Sequence, residues 1–197
     1  MSHAYLGPGR AQMFATGAMC ATSHPFGARA AIEVLAQGGN AVDAAVAGAV
    51  VLGFCEPAMT GLGGDVFALI HDARTGESRG LNGSGRAPAA LDAADLRAQG
   101  MRAIGLDSVH SVTVPGAVDA FGRLIAEEGR LDLATVLAPA IRYAETGVPV
   151  HRRTAIDADH FSHRLQGAGR QHFLNHGKPY REGDIFVAPG QAEALRL

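Results

Sequence analysis

The chain of 197 residues has little cysteine and no large excess of charge of either sign. Its two cysteines, Cys20 and Cys55, are too few for a disulfide framework, so no oxidising compartment is indicated. Seventeen Lys and Arg side chains stand against nineteen Asp and Glu, which gives a formal net charge of −2. A nucleic-acid binder should carry a clustered basic excess that neutralises phosphates. The balance therefore argues against nucleic acid as a partner.

Long hydrophobic runs are also missing. The longest apolar run, residues 41–55, contains Asp43 and is too short to cross a bilayer. The N-terminus has neither a basic start nor an apolar stretch after it, unlike a secretory signal. We therefore expect no membrane association and a cytoplasmic protein. Residues 1–12 are interpreted as a flexible N-terminal arm and residues 13–197 as one folded region.

Helix and strand signals are mixed along the chain, which predicts an α+β fold with helices covering a sheet. Hydrophobic residues make up 47% of the sequence, a value typical of a soluble globular domain. The predicted strands are residues 13–21, 66–71, 78–81 and 109–114. One predicted helix begins at Pro25. Others cover residues 41–54, 91–99, 117–128 and 133–145, and a last helix starts near Gln191.

The strongest local pattern lies at residues 40–54. Asn40 is a good N-cap, and Asp43 stands where the third helical residue closes a capping box. Almost every residue that follows is small or apolar, so this helix is expected to be buried on all sides. Gly48 and the alanines would let another element approach closely. The preceding helix is expected to bury one stripe, formed by Ala28, Ala31, Ile32 and Leu35.

Two glycine-rich turns resemble catalytic motifs only in part. The turn Gly61–Gly64 lacks the last glycine of a dinucleotide fingerprint, and it follows a helix and precedes a strand, which is the reverse order. In Asn82-Gly-Ser-Gly-Arg86, a nucleophile elbow would need glycines at both ends. Arg86, at the end of a strand, could make a bidentate contact with a carboxylate of a ligand. The alternative, that it caps carbonyl groups or pairs with an acid such as Asp65, stays open.

Other nucleophile and ligand patterns are weaker. Cys20 lies four residues before His24, but burial is the commoner fate of a free cysteine, and Cys55 is expected in the core. Five histidines between His151 and His176 include pairs at helical spacing. Zinc sites usually add cysteine or carboxylate ligands, so scattered surface histidines explain this segment. The residues alone predict no catalytic residue, no metal and no cofactor.

A further pattern consists of short stretches in a fixed order. They are Ala21-Thr-Ser-His-Pro25, Leu35-Ala-Gln-Gly-Gly-Asn-Ala-Val-Asp-Ala-Ala45, Glu56-Pro57, Gly61-Leu-Gly-Gly64, Ala87-Pro-Ala89, Val114-Pro-Gly116 and Leu137-Ala-Pro-Ala-Ile141. In these stretches the chain resembles the γ-glutamyltranspeptidase family. The resemblance implies the N-terminal part of an αββα sandwich of the N-terminal-nucleophile (Ntn) hydrolases. It also implies a precursor that cuts itself and attacks a small amide with a new N-terminal threonine.

The resemblance covers the N-terminal part of the family's large subunit. It implies that the threonine, carried by a C-terminal small subunit, lies beyond Leu197. In transpeptidases of the family, the turn before Ala-Pro reads Arg-Glu-x-Ala-Pro, and its arginine binds the glutamyl carboxylate. Alignment on Ala87-Pro88 puts Ser84 at that arginine and Arg86 two residues later, on the same face of an extended segment. Arg86 is therefore the candidate substrate-binding residue, for a γ-glutamyl or other anionic amide.

Two functional hypotheses follow. The first is the front portion of a self-processing amidohydrolase, similar to the amidases and acylases of the wider family and inactive without the small subunit. The alternative is a noncatalytic truncated module used for binding or assembly. Strands that lack their partners would leave an exposed edge and apolar surface. The chain alone is therefore expected to be either poorly soluble or assembled with another chain, and a homo-oligomer is left open.

Overall fold

The computed structural model describes residues 12–197, so the proposed arm lies outside the described residues except for its last position. The helices of the described residues are α1 (Pro25–Ala36), α2 (Ala41–Cys55), α3 (Ala93–Ala98), α4 (Ala117–Glu128), α5 (Leu133–Thr146), α6 (Arg152–Phe161), α7 (Gly167–Phe173) and α8 (Pro189–Ala194). The strands are β1 (Val66–Asp72), β2 (Glu77–Gly83), β3 (Val148–Pro149), β4 (Leu174–Asn175), β5 (Lys178–Pro179) and β6 (Ile185–Phe186). This mixture confirms the α+β prediction.

Helix α2 begins with the predicted capping box. The Oδ1 atom of Asn40 accepts hydrogen bonds from the N–H groups of Val42 (2.9 Å) and Asp43 (3.1 Å). In return, Oδ2 of Asp43 accepts from the N–H of Asn40 at 2.7 Å. Three otherwise orphaned N–H donors, those of Asn40, Val42 and Asp43, are thereby satisfied, which fixes where the helix starts.

Asp43 also joins α2 to the turn between α4 and α5. Its carboxylate is fully buried and accepts from the N–H groups of Arg130 (3.0 Å) and Leu131 (3.4 Å). Beside it, Nδ2 of Asn40 donates to the carbonyl oxygen of Glu128 at 2.6 Å. A buried charge is tolerated only when it is hydrogen-bonded, and here backbone amides perform that role. The start of α2 therefore fixes the path of the chain from α4 to α5.

Helix α1 packs closely on α2, as the small residues of α2 predicted. A Cβ atom added to Gly48 would lie 3.3 Å from the carbonyl oxygen of Gly27, so the helix backbones are almost in contact. The predicted stripe of α1 was right in part: Ala31 is buried and Ala28 and Leu35 are half-buried, but the contact through Gly27 turns the helix and leaves Ile32 47% exposed. The buried positions are Gly27, Ala30, Ala31 and Val34.

The β1–β2 hairpin matches the prediction and rests on the helices by one face. Its antiparallel register runs from Val66 opposite Gly83 to Asp72 opposite Glu77. The half-buried side chains of Ala68 and Ile70 pack against the hydrophobic core. These side chains alternate with exposed ones along β1. One face of the hairpin is therefore covered by helices and the other faces away from them.

Two predicted strands are absent from the described residues. Residues 13–21 form no ladder and are largely exposed, in keeping with their poor alternation. Residues 109–111 form a 3₁₀ turn in which Oγ of Ser108 caps the N–H of His110 at 3.2 Å. The hydrogen bond from the backbone to the side chain of Ser108 is a local alternative to the hydrogen bonds of a strand ladder. Among residues 12–197, no helix is both long and apolar enough to cross a membrane.

Candidate functional site

The uncovered side of the hairpin carries a mixed polar and apolar surface. In strands, every second side chain points to the same face, and exposure alternates accordingly along β1 and along residues 81–86. Phe67 lies directly opposite Asn82, and Leu69 lies opposite Gly80. We call the following set the hairpin face: Asp65, Phe67, Leu69, Asn82, Ser84 and Arg86.

The centre of the hairpin face is apolar and unusually accessible. Leu69 is 91% exposed and Phe67 is 68% exposed. Single exposed apolar residues are ordinary, but two large neighbouring ones on a sheet surface are typical of an interaction site. The expected apolar surface is therefore confirmed, and it lies beside the polar end of the hairpin.

Asp65 fixes the polar end of the hairpin face. Its Oδ1 atom accepts hydrogen bonds from the N–H of Gly85 at 2.8 Å and from Oγ1 of Thr113 at 3.4 Å. In the same turn, Oδ1 of Asn82 accepts from the N–H of Ser84 at 2.9 Å, which is an Asx turn. These bonds to Asp65 and Asn82 hold the backbone immediately before Arg86.

The segment after Thr113 holds the same turn from its other side. The N–H of Val114 donates to the carbonyl oxygen of Arg86 at 2.9 Å. A Cβ atom on Gly85 would overlap the carbonyl oxygen of Val114, so the two backbones approach as closely as glycine allows. Arg86 is thus held through its main chain by Asp65 and Val114, and its side chain extends from a fixed base.

The Gly61–Gly64 turn supports the start of α4. The carbonyl oxygen of Gly64 accepts from the N–H groups of Gly116 (3.1 Å) and Ala117 (3.0 Å). Donors at the N-terminus of α4 are therefore directed at a carbonyl group of the protein. This arrangement confirms the interpretation of Gly61–Gly64 as a tight packing turn and not a phosphate loop.

Arg86, the predicted substrate contact, is exposed on the hairpin face. Within residues 12–197 its guanidinium makes no hydrogen bond or ion pair, and the acceptor atom of Asp65 is engaged by Gly85 and Thr113 instead. The alternative in which Arg86 pairs with Asp65 is therefore not seen. The contact between Arg86 and a ligand stays a prediction.

A second polar cluster lies where α1, α2 and α6 begin or end. The ring of His24 is 2% exposed, its centroid lies 4.1 Å from that of His151, and its Nδ1 accepts from the N–H of Phe26 at 3.2 Å. Nearby, Oγ of Ser23 donates to Oε2 of Glu56 at 2.6 Å. Burial, and then the charge of His151, lowers the pKa of His24, while Glu56 opposes that shift. The lowered pKa favours the neutral form of His24, whose Nδ1 atom caps α1.

This histidine pair makes stability depend on pH in a defined direction. The pKa of His24 in the folded protein is lower than its ordinary value of 6.5, so below pH 6.5 the unfolded chain binds a proton that the folded chain does not. Burial lowers the pKa of His172 as well, which adds to the effect. We expect the free energy of unfolding to fall with acidification below pH 6.5, at most about 1.4 kcal/mol per pH unit for each histidine.

Urea denaturation at a series of pH values measures this effect. His24→Asn keeps an N-cap acceptor but cannot titrate, so its profile should be flatter. His71→Asn, at an exposed position, should keep the profile of the unaltered protein. Equal profiles for the His24 and His71 variants would contradict the role of His24.

Neither cysteine forms a nucleophile pair in the described residues. Cys55 is buried, as predicted, and burial together with Glu56 raises the pKa of its thiol to about 12, so it stays protonated and unreactive. Cys20 makes no hydrogen bond to His24 within residues 12–197. In the same range no three metal-ligating side chains come together, and the histidines between His151 and His176 are spread over several elements.

Solved structures define the class of this fold. The chain superposes on cephalosporin acylase from Bacillus halodurans with a TM-score of 0.87 and 38% identity, covering 100% of this chain and 38% of that one. It superposes equally on Helicobacter pylori gamma-glutamyltranspeptidase, with a TM-score of 0.87 and 30% identity over 94% of this chain and 55% of that one. The described residues are thus part of an Ntn-hydrolase fold.

Sequence comparison identifies the family within that class. The family model for gamma-glutamyltranspeptidase matches residues 27–197. The chain is 37% identical over 187 residues to the glutathione hydrolase-like YwrD proenzyme of Bacillus subtilis, covering 92% of this chain and 35% of the relative. The chain belongs to the gamma-glutamyltranspeptidase family. It spans about a third of the length of the curated relatives it matches.

Proposed function

We propose that this chain is the N-terminal portion of a self-processing amidohydrolase that cleaves a small anionic amide. The relatives support this reading, because the Bacillus subtilis proteins are named glutathione hydrolase and glutathione hydrolase-like proenzymes and the Bacillus halodurans protein is named an acylase. The nucleophile is an N-terminal threonine on a C-terminal small subunit. The present chain supplies the core, the hairpin and one substrate contact.

The hairpin face carries this proposal. Phe67 and Leu69 form an accessible apolar surface on a two-stranded sheet, and both outer edges of that sheet lack a strand partner among the described residues. A chain with such a surface and such edges is expected to assemble. The small subunit is the proposed partner, and it would place its threonine beside the polar end that holds Arg86.

In this assembly Arg86 binds the carboxylate of the substrate. An exposed guanidinium on a fixed backbone is suited to a bidentate contact, because little freedom of the main chain is lost when the ligand binds. The positive charge favours an anionic amide over a neutral one of the same shape. Ser84, which alignment on Ala87-Pro88 puts at the transpeptidase arginine position, is exposed as well and would add a hydroxyl group beside Arg86.

Arg86→Ala, made in the complete and processed enzyme, tests the contact. We expect KM for an anionic amide to rise about tenfold or more, since a charge-assisted pair is lost. The value of kcat should change less, because the lost contact binds the ground state as well. Arg86→Lys should restore part of the affinity, and Arg97→Ala, an exposed arginine on α3, should behave like the unaltered enzyme. An unchanged KM in Arg86→Ala would remove the role.

Assays of the chain alone and of the complete processed enzyme separate this proposal from the noncatalytic alternative. The chain alone should hydrolyse no amide, and the processed enzyme, which also holds the rest of the large subunit and the small subunit, should be active. Activity of the purified chain alone would overturn the assignment of the nucleophile. A complete processed protein without amidase activity would favour a module used for binding or assembly.

A further inference from the structure

A cavity of about 150 Å³ lies between the end of α2, strand β3 and helix α6. We call it the α6 cavity. Its lining includes Cys55, Val150, Phe161, Leu165, Tyr180 and Phe186. None of its lining residues belongs to the hairpin face, so the function proposed above does not account for it.

One wall of the α6 cavity is a rigid aromatic group centred on Phe186. The ring centroid of Phe186 lies 5.1 Å from that of Phe54, 5.2 Å from that of Tyr180 and 6.2 Å from that of Phe173. The Tyr180 ring meets Phe186 edge-on, while Phe54 and Phe173 stack on it. Aromatic rings prefer these geometries, so a further ring placed against Phe186 would find favourable stacked or edge contacts.

Three polar side chains that line the cavity, those of Thr154, Asp157 and Glu56, are already hydrogen-bonded within the protein. Oγ1 of Thr154 donates to the carbonyl oxygen of Cys55 at 3.0 Å. Both carboxylate oxygens of Asp157 accept from Nε of Arg153, at 3.0 and 2.9 Å. Oε2 of Glu56 accepts from Ser23, as described above. A charged ligand would lose its hydration in this cavity, and these side chains, which already have partners, would not replace it. Binding of a charged ligand is therefore unfavourable.

We propose that the α6 cavity binds a small uncharged aromatic molecule. Its volume equals that of engineered apolar protein cavities of about 150 Å³, which admit benzene. The occupant is a single ring of that size, held by burial of apolar surface and by contacts with the rings around Phe186. The thiol of Cys55 is part of the wall and makes no chemical step.

Thermal unfolding with benzene as the probe tests this site. Benzene should raise the unfolding midpoint of the protein in a saturable manner, because a ligand that binds only the folded state stabilises it. Benzoate and benzylammonium, of similar shape but charged, should not do so at the same concentration. Equal stabilisation by a charged analogue, or no stabilisation by benzene, would overturn the proposal.

Two variants distinguish filling of the cavity from a general effect on α6. Ala158 lines the cavity, so Ala158→Phe should fill it and abolish the response to benzene. Ile156→Phe adds an aromatic ring at an exposed position of the same helix and should keep the response. Equal responses of the two variants would contradict the assignment.

Discussion

Replacing Asp43 with alanine is expected to lower the free energy of unfolding by about 3 kcal/mol or more. The buried carboxylate accepts from the N–H groups of Asn40, Arg130 and Leu131, and alanine would leave all three donors without that partner. Each buried unsatisfied donor costs about 1–3 kcal/mol. The capping box at the start of α2 would be lost in the same change, which adds to the effect.

Urea denaturation of the variant and two controls measures this loss. Asp43→Asn retains one acceptor oxygen, so its loss of stability should be intermediate. Asp119→Ala removes an exposed acid from the first turn of α4 and should cost about 0.5 kcal/mol or less. A loss below about 1 kcal/mol for Asp43→Ala would show that these hydrogen bonds contribute little.

Gly85→Ala should have the second large effect. The added methyl group would overlap the carbonyl oxygen of Val114, so either the turn or the segment after Thr113 must move. Such overpacking against backbone costs about 1–3 kcal/mol. Moving the turn also displaces the base of Arg86, so the assembled enzyme should lose most of its affinity for an anionic amide.

Gly63→Ala is the matched control in the neighbouring glycine turn. A Cβ atom there would meet nothing within 4 Å, and its backbone does not need a positive φ. The midpoint of thermal unfolding and KM should both change little in this control. In Gly85→Ala both should change. A stable Gly85→Ala with unchanged KM would mean that the contact with Val114 does not determine where Arg86 lies.

The elements predicted best from sequence are those that depend on local rules. The box of Asn40 and Asp43 depends on neighbours three residues apart, and the β1–β2 hairpin depends on alternation and a turn. Both signals are complete within a short window. These signals predict α2 and the hairpin without information on contacts between residues distant in the sequence.

The errors fall where a distant contact or a competing local bond decides the structure. Residues 109–114 have strand-forming side chains, but Ser108 caps a 3₁₀ turn and leaves one ladder-like bond, from Val114 to Arg86. The stripe of α1 was partly misplaced because Gly48, on another helix, determines which side of α1 is buried. The periodicity of α1 alone does not contain that information.

Part of the candidate site was also accessible to sequence reasoning. Arg86 and Ser84 are both exposed, as expected of ligand contacts, but they follow the end of β2 at Gly83, and that they share a face stays a prediction. The sequence left open an ion pair between Arg86 and an acid such as Asp65, but the partners of Asp65 are Gly85 and Thr113. The pairing of His24 with His151 had no local signal, because the two residues meet only when α6 docks.

The support beneath Arg86 has a consequence for how specificity can change during evolution. Residues 84–86 are held through their main-chain atoms: the N–H groups of Ser84 and Gly85 donate to the side chains of Asn82 and Asp65, and the carbonyl oxygen of Arg86 accepts from Val114. Mutations at Ser84 or Arg86 can therefore alter which molecules are recognised while the loop keeps its path. Descendants of one ancestral sequence could acquire new substrates by exchanging two side chains, with no need to evolve a new scaffold.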